Sequence, residues 1–203
     1  IYYLQYQNRI GTLLQQKQDG SYFNYRTNLG NSSSKGIEGI IETSVCRKIL
    51  YPRKLELRLF SSLAFNDSKY GDFRAITKVN NQLVEINLRN KLVENAPACI
   101  MRSGFTIGFK NLTLTSQMSH TGAVYTDANN TVLPTSNGTI GRIPSYTIYD
   151  LTLMWKFKHA QIKAGVNNLT DQVYFTRRAT GYPGPGLMPA DGRTYFFTIG
   201  YKF

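Results

Sequence analysis

The amino-acid sequence predicts an all-β fold, an antiparallel transmembrane β-barrel, from three observations. Aromatic residues make up 13% of the 203 residues, and 14 tyrosines and 11 phenylalanines accompany 17 glycines, a composition typical of strands and turns. Apolar and polar side chains alternate with period two in several segments. The connections between these segments are alternately short and long, as in barrels of bacterial outer membranes.

Eight segments carry the strand pattern. In chain order they are IYYLQYQNR, GIEGIIETSV, KLELRLFSSLAF, SGFTIGFK, LTLTSQMSH, YTIYDLTLMWKFK, AQIKAGVNN and the last residues of the chain. Because the first segment starts at Ile1, we expect the chain to begin inside an element and to be a piece of a longer protein. Many of these strands are expected to exceed a dozen residues, whereas strands of soluble sheets commonly have five or six.

Each strong segment has one apolar face and one polar face. In the sixth, Tyr149, Leu151, Leu153, Trp155 and Phe157 oppose Asp150, Thr152, Lys156 and Lys158. A basic side chain at the bilayer midplane costs about 2–4 kcal/mol, so the apolar face is predicted to meet lipid. The charges predicted to face the lumen are Glu38, Glu42, Arg58, Asp150, Lys156 and Lys163. Three apolar residues break the alternation: Phe60, Met154 and Phe196.

Short and long connections are predicted at opposite ends of the sheet. Tight turns are expected near residues 48–52, at Lys110-Asn111 and at Lys158-His159, and long polar loops near residues 67–96, 127–143 and 178–192. In outer-membrane barrels the short turns are periplasmic and the long loops extracellular. Cys46 then lies near a short turn and Cys99 near a long loop, so no disulfide is expected between them.

Other classes of protein are disfavoured by the composition. No run of about 18 apolar residues exists, which excludes a transmembrane helix. The net charge of +12 comes from scattered basic residues, without the basic stripe that nucleic-acid binding requires. The two cysteines and two histidines have no metal-site spacing.

Two alternatives to a large barrel stay open at this point. A soluble antiparallel sheet packed on another element also gives alternation, and would make the chain a β-sheet binding module. Eight strands can also close on themselves into a small outer-membrane barrel. In that case the inward charges would have to pair with one another, because an unpaired buried charge is costly.

The end of the chain, GVNNLTDQVYFTRRATGYPGPGLMPADGRTYFFTIGYKF, resembles the C-terminal end of TonB-dependent receptors, and within them the ferric dicitrate receptor branch. The words NNLTDQVYF, GYPGPG and PADGR carry most of the likeness, and YRTNLGNSSSKGIEG and TDANNT fit the same branch. The resemblance implies a barrel of about 22 strands around a plug domain. Residues 1–203 would then be the C-terminal part of that barrel, about its last eight strands, without the plug domain and the TonB box.

The resemblance also implies a function, which is uptake of a ferric chelate, most favourably ferric citrate, across the outer membrane by a receptor driven by TonB. The chelate would be a transported ligand that undergoes no reaction, so the resemblance implies no enzyme activity, no catalytic residue and no cofactor. The implied partners are outer-membrane lipid and lipopolysaccharide, the TonB complex through the missing N-terminal part, and the barrel assembly machinery. This chain alone is not expected to transport.

A negatively charged chelate would be drawn to basic loops, where arginine matches carboxylates with paired donors. The candidate ligand-binding residues are Arg177, Arg178, Tyr182, Arg74, Lys69, Tyr70 and Arg26. Basic loop residues can equally bind the phosphates of lipopolysaccharide. The terminal aromatic strand resembles the signal read by the assembly machinery, and its residues are Tyr195, Phe197, Ile199, Tyr201 and Phe203.

Overall fold

The computed structural model describes residues 1–17, 19, 21–44, 55–79, 82–181 and 184–202. These ranges contain fourteen strands. They are β1 Tyr2–Tyr6, β2 Ile10–Gln16, β3 Tyr22–Asn28, β4 Ser32–Ser44, β5 Leu55–Tyr70, β6 Arg74–Val79, β7 Gln82–Asn87, β8 Cys99–Phe109, β9 Leu112–Thr121, β10 Tyr146–Lys156, β11 Ala160–Asn167, β12 Phe175–Ala179, β13 Gly186–Pro189 and β14 Thr194–Tyr201. No helix in the described part of the chain is long and apolar enough to cross a membrane.

Eight of the strands form one antiparallel sheet in the order β1-β4-β5-β8-β9-β10-β11-β14. The predicted number of sheet strands is confirmed. Within the described ranges β1 and β14 are the edge strands and do not pair with each other. The sheet is therefore open, which contradicts the alternative that these eight strands close on themselves into a small barrel.

The strands are shorter than the sequence suggested. Only β4, with 13 residues, and β5, with 16, exceed a dozen among the eight sheet strands, so the expectation of many longer strands is wrong. A tilted strand needs only about 9–11 residues to cross a bilayer. The first strand ends at Tyr6 and not at Arg9, because Asn8 has a φ of 54° that turns the chain out of the extended conformation.

The two kinds of connection are present as predicted. Phe109 pairs directly with Leu112 across a two-residue turn, in which Lys110 has a φ of 52°. At Lys158-His159 the Phe157 amide donates a 2.6 Å bond to the Ala160 carbonyl. The turn expected near residues 48–52 lies outside the described residues.

The long connections hold strands that the sequence analysis did not predict. Hairpin β2–β3 follows the first sheet strand, β6–β7 lies within 67–96, and β12–β13 overlaps 178–192. Their sequences have polar residues at both odd and even positions, so they lack the alternation that predicts a membrane strand. We call the end of the sheet that carries these hairpins the extracellular end.

The register of the sheet places most of the apolar residues on one continuous face. The odd-numbered residues of β4, β5, β8, β10 and β14 share a face with the even-numbered residues of β9 and β11. This outer face includes exposed apolar side chains at Ile37, Ile41, Phe65, Tyr149, Leu153, Trp155, Tyr195, Phe197, Ile199 and Tyr201. The six charges predicted to face the lumen all lie on the opposite, inner face. Both predicted faces are confirmed.

Two of the exceptions to the alternation are explained by the facing strand. Phe60 pairs with Gly104, and Phe196 pairs with Gly165. A Cβ atom on Gly104 would lie 2.7 Å from the Phe60 ring, and one on Gly165 would lie 2.4 Å from the Phe196 ring. Each aromatic ring of the inner face therefore covers a glycine, an arrangement that fills the space above a residue without a side chain.

The glycine under Phe60 can be tested against another glycine of the same strand and face. A Cβ on Gly104 would also meet the Ser116 carbonyl oxygen at 2.3 Å, whereas one on Gly108 meets its nearest atom, of Glu56, at 3.7 Å. We expect Gly104→Ala to lower the free energy of unfolding by about 1–3 kcal/mol, the usual cost of overpacking. Gly108→Ala should leave it within about 0.5 kcal/mol. Urea unfolding in detergent micelles measures both, and equal stability of the two variants would contradict the packing argument.

Candidate functional site at the extracellular hairpins

The predicted basic candidates lie on three different hairpins at the extracellular end. Arg26 is on β3 opposite Thr12, and Arg74 is on β6 opposite Asn87. Arg177 and Arg178 are on β12. Strands β2 and β6 contact each other, so the first two hairpins are neighbours. The arginines thus belong to elements far apart in sequence that rise from one end of the sheet.

The two adjacent arginines of β12 have different surroundings. The Arg178 guanidinium donates from Nη1 to the Gly138 carbonyl at 2.9 Å and from Nη2 to the Arg142 carbonyl at 3.2 Å. Its carbon Cζ lies 5.1 Å from the centre of the Phe175 ring, and burial lowers its pKa. Arg177 is exposed. Arg178 therefore ties hairpin β12–β13 to the loop before β10, while Arg177 presents its charge to solvent.

The other two arginines are also exposed. Arg74 donates from Nη1 to Glu85 at 3.2 Å across hairpin β6–β7, with more than half of each side chain exposed. An exposed pair of this kind contributes only about 0–1 kcal/mol, so Arg74 can exchange its partner for another anion at little cost. Arg26 is exposed on β3. Arg26, Arg74 and Arg177 are thus the candidates that a ligand can reach.

The structure gives the neighbours Lys69 and Tyr70 opposite orientations. Tyr70 is 2% exposed and packs in a loop core with Leu29, Leu88, Val93 and Ala128. Its hydroxyl donates to the Glu94 carboxylate, and burial raises its pKa. Lys69 lies on the outer face and bonds Asp67 at 2.9 Å. Tyr70 therefore has little surface for a ligand, and Lys69 points away from the lumen.

A network of hydrogen bonds around Asp127 was not predicted from the sequence. The fully buried Asp127 carboxylate accepts bonds from the Thr131 amide at 3.0 Å, the Thr131 hydroxyl at 2.8 Å and the Asn129 amide at 3.2 Å. Burial raises the pKa of Asp127. Asn130 then exchanges two side-chain bonds with the Leu92 backbone, at 2.7 and 2.8 Å. The segment TDANNT, noted above only for its resemblance, thus joins two extracellular loops.

Tyr182, Cys46 and Phe203, which the sequence analysis names, lie outside the described residues. Cys99 starts β8 at the extracellular end, as expected, and is not in a disulfide. In the described part of the chain, no group of three or more His, Cys, Asp or Glu side chains could hold a metal ion.

Comparison with known proteins decides the family. The model of the TonB dependent receptor-like β-barrel family matches residues 1–169. The chain belongs to this family. It is a family of receptors and not of enzymes, and its members are β-barrels of the outer membrane. The resemblance seen in the sequence, the all-β antiparallel fold and the expected location are thereby confirmed.

Solved structures of receptors share the fold of this receptor barrel. The unliganded ferric citrate transporter FecA superposes with a TM-score of 0.70 and 20% identity, covering 88% of this chain and 25% of its own. The siderophore receptor PiuA from Acinetobacter baumannii gives 0.62 and 19%, covering 94% and 24%. The copper transporter OprC gives 0.65 and 14%, covering 99% and 28%. A comparison with curated proteins finds no match.

The sequence identities and coverages decide which properties of these proteins can be assigned to this chain. At identities of 14–20% the likeness shows the fold alone. The chain spans about a quarter of the length of the three proteins. The fold is therefore established by comparison, and the ligand has to be argued from the hairpins.

The hydrogen bonds around Asp127 predict that losing the Thr131 hydroxyl weakens the contact between the two loops. Replacing Thr131 with valine removes the hydroxyl donor and leaves a buried carboxylate with one bond fewer, which costs about 1.5–3 kcal/mol. We expect the Leu92 amide, bonded to Asn130, to exchange its hydrogen at least about tenfold faster in Thr131→Val. Thr131→Ser keeps the hydroxyl and should exchange at the original rate. Hydrogen-exchange mass spectrometry measures this, and unchanged protection in Thr131→Val would show that the network does not hold the loops.

Proposed function

We propose that this chain is the C-terminal part of the barrel of an outer-membrane receptor that takes up a ferric chelate, most favourably ferric citrate, with energy from TonB. The observation that carries the proposal is the set of exposed arginines on three hairpins above a lipid-facing sheet. Family membership supports the receptor class. The plug domain and the TonB box would belong to the rest of the polypeptide, so this chain alone would not transport.

Binding of the ferric chelate would depend on charge and geometry, and no covalent bond would be made or broken. Citrate bound to iron presents carboxylate oxygens, and a guanidinium offers paired donors that match a carboxylate. Arg26, Arg74 and Arg177 would supply these donors from separate hairpins. Arg178 would act indirectly, because its bonds to Gly138 and Arg142 hold the hairpin that carries Arg177. A basic mouth also raises the rate at which an anion arrives.

The last strand supports the proposed partnership with the barrel assembly machinery. In β14 the side chains of Tyr195, Phe197, Ile199 and Tyr201 point outward and are 64–72% exposed. They agree with a lipid-facing terminal strand that the barrel assembly machinery would read. Phe203 lies outside the described residues and stays part of the prediction.

The two arginines of β12 make a matched test of ligand binding. Arg177→Gln should weaken ferric citrate binding by roughly tenfold, the value of a charge-assisted hydrogen bond, without changing loop protection. Arg178→Gln should instead raise hydrogen exchange in residues 138–142, since it removes the bonds to those carbonyls. Binding of radiolabelled iron citrate to the purified full-length receptor measures the first effect. Full affinity in Arg177→Gln would exclude Arg177 from the ligand site.

The length of the native polypeptide is a separate test. An antibody raised against the C-terminal strand should detect, in outer-membrane fractions, a band several times larger than the 23.0 kDa of this chain. Such a band would agree with a plugged receptor that contains these residues. A band at 23.0 kDa would leave no room for a plug and would overturn the transport proposal.

A further inference from the structure

The connection between β11 and β14 is held together at its base by two side chains. Asn168, which is 3% exposed, donates from Nδ2 to the carbonyls of Gln172 at 2.9 Å and Asp191 at 3.4 Å. Its Oδ1 accepts a bond from the Gln172 amide at 2.9 Å. The Asp171 carboxylate accepts a bond from the Arg193 amide at 2.8 Å. We call Asn168 and Asp171 the closing clamp, because they follow β11 in the chain and bond the backbone just before β14.

The closing clamp is also bonded to the neighbouring strand β10. The Asn168 amide donates to Asp150 Oδ1 at 2.9 Å, and the Leu169 amide donates to the Tyr149 carbonyl at 2.7 Å. Both acceptors belong to β10, which pairs with β11 in the sheet. The position of the clamp is therefore defined by the sheet, and the clamp passes that position on to the first residues of β14.

Hairpin β12–β13 lies outside the closing clamp. The Tyr174 carbonyl accepts a bond from the Ala190 amide at 3.1 Å, so the chain leaves for the hairpin and returns from it at one place. Arg178 of the hairpin bonds the carbonyls of Gly138 and Arg142, which belong to the loop before β10. The contacts of the hairpin are thus separate from the contacts that place the start of β14.

The alternation of side chains does not by itself fix the register of β14 against β11. A slip of one residue would turn the polar face toward lipid, whereas a slip of two residues keeps every outward side chain outward. Within the ladder, Phe196 over Gly165 opposes such a slip, because the ring would then stand opposite Lys163 or Asn167. The closing clamp opposes the same slip from the end of the strand, since a shifted strand would carry the Arg193 amide away from Asp171.

From these contacts we propose that Asn168 and Asp171 are positioning residues that set the register of the last strand against β11. The clamp brings Thr194 opposite Asn167, whose Nδ2 donates to the Thr194 hydroxyl at 3.3 Å. The words NNLTD and PADGR thus act in the assembly of the barrel, apart from the ligand. The inference depends on the pairing of β11 with β14 and not on the ferric chelate, so its failure would leave the proposed substrate untouched.

Disulfide formation in the full-length receptor measures this register. Ala164 and Phe197 are opposite each other on the outer face. Ala164→Cys with Phe197→Cys can therefore form a disulfide, which needs Cα atoms within about 7 Å. Tyr195 and Ile199 are diagonal to Ala164, at about 7–8 Å, and come opposite it only after a slip of two residues. Ala164→Cys with Tyr195→Cys or with Ile199→Cys therefore reports the slipped registers.

Removal of the clamp should raise the share of slipped disulfides. Asn168→Gly with Asp171→Gly keeps the positive φ of 51° and 54° at these positions and removes the side-chain bonds. Several hydrogen bonds are lost, each of which changes an equilibrium by about two- to tenfold, so we expect a rise of at least about tenfold. The measurement uses a background with Cys46→Ser and Cys99→Ser. Mass spectrometry counts the disulfides in the folded receptor, which unheated electrophoresis separates from unfolded chains.

Two matched variants should keep the original register. Asn8→Gly makes the same change at an exposed asparagine with a φ of 54°, whose Oδ1 accepts a bond from Asn28 and which precedes β2. Asp171→Asn retains an oxygen that can accept the bond from the Arg193 amide. The single variant Asn168→Gly keeps half of the clamp and should give an intermediate share of slipped disulfides.

A shortened connection separates the clamp from the hairpin. Replacing residues 175–189 with a Gly-Ser linker of about four residues should keep the original register, because the Tyr174 carbonyl and the Ala190 amide already lie 3.1 Å apart. Slippage in this variant as large as in the double clamp variant would assign the register to the hairpin and overturn the proposal. An equal share of slipped disulfides in the double clamp variant and in Asn8→Gly would overturn it as well.

Discussion

The pairing of the backbone in the eight-stranded sheet is the constraint on which the other features depend. In hydrocarbon no water is available, so each unpaired N–H or C=O group costs several kcal/mol. From β1 to β14 the ladders are antiparallel and continue without a register shift among the described residues. Because side chains alternate strictly along a strand, this register also decides which of them meet lipid. A slip of one residue in β10 would exchange Trp155 for Lys156 on the outer face.

Given that register, side chains that break the alternation have to be accommodated by the facing strand. On the inner face the large rings of Phe60 and Phe196 stand opposite glycines, so bulk on one strand compensates for its absence on the next. On the outer face Ser61 and Ser103 satisfy each other's hydroxyl groups. In each case the exception comes as a pair across two strands. The register of the sheet brings the two residues of each pair together. In the sequence of one strand alone, such a residue therefore appears only as a break in the alternation.

The difference between features of a single strand and contacts between distant segments explains which parts of the structure could be predicted from the sequence. Alternation is local, so the eight sheet strands, their faces and the turn at Lys110-Asn111 could be predicted from their own residues. The hairpins could not, because polar residues on both faces give no period. The burial of Tyr70 depends on loops more than 20 residues away in sequence, as in its bond to Glu94. The role of Arg178 depends on carbonyls 36 and 40 residues away, so only the structure could separate it from Arg177.

Strand β5 connects the membrane with the extracellular loops. Its 16 residues exceed what a bilayer crossing needs. The side chains of its last two residues lie in different surroundings. Lys69 faces the lipid side beside Asp67, while Tyr70 enters the loop core and bonds Glu94. A β-strand cannot rotate one of these side chains without the other, because alternation fixes them on opposite faces. One strand therefore fixes the orientation of the Lys69–Asp67 pair relative to the loop core. A rotation of β5 that moved one of them would also have to move the other.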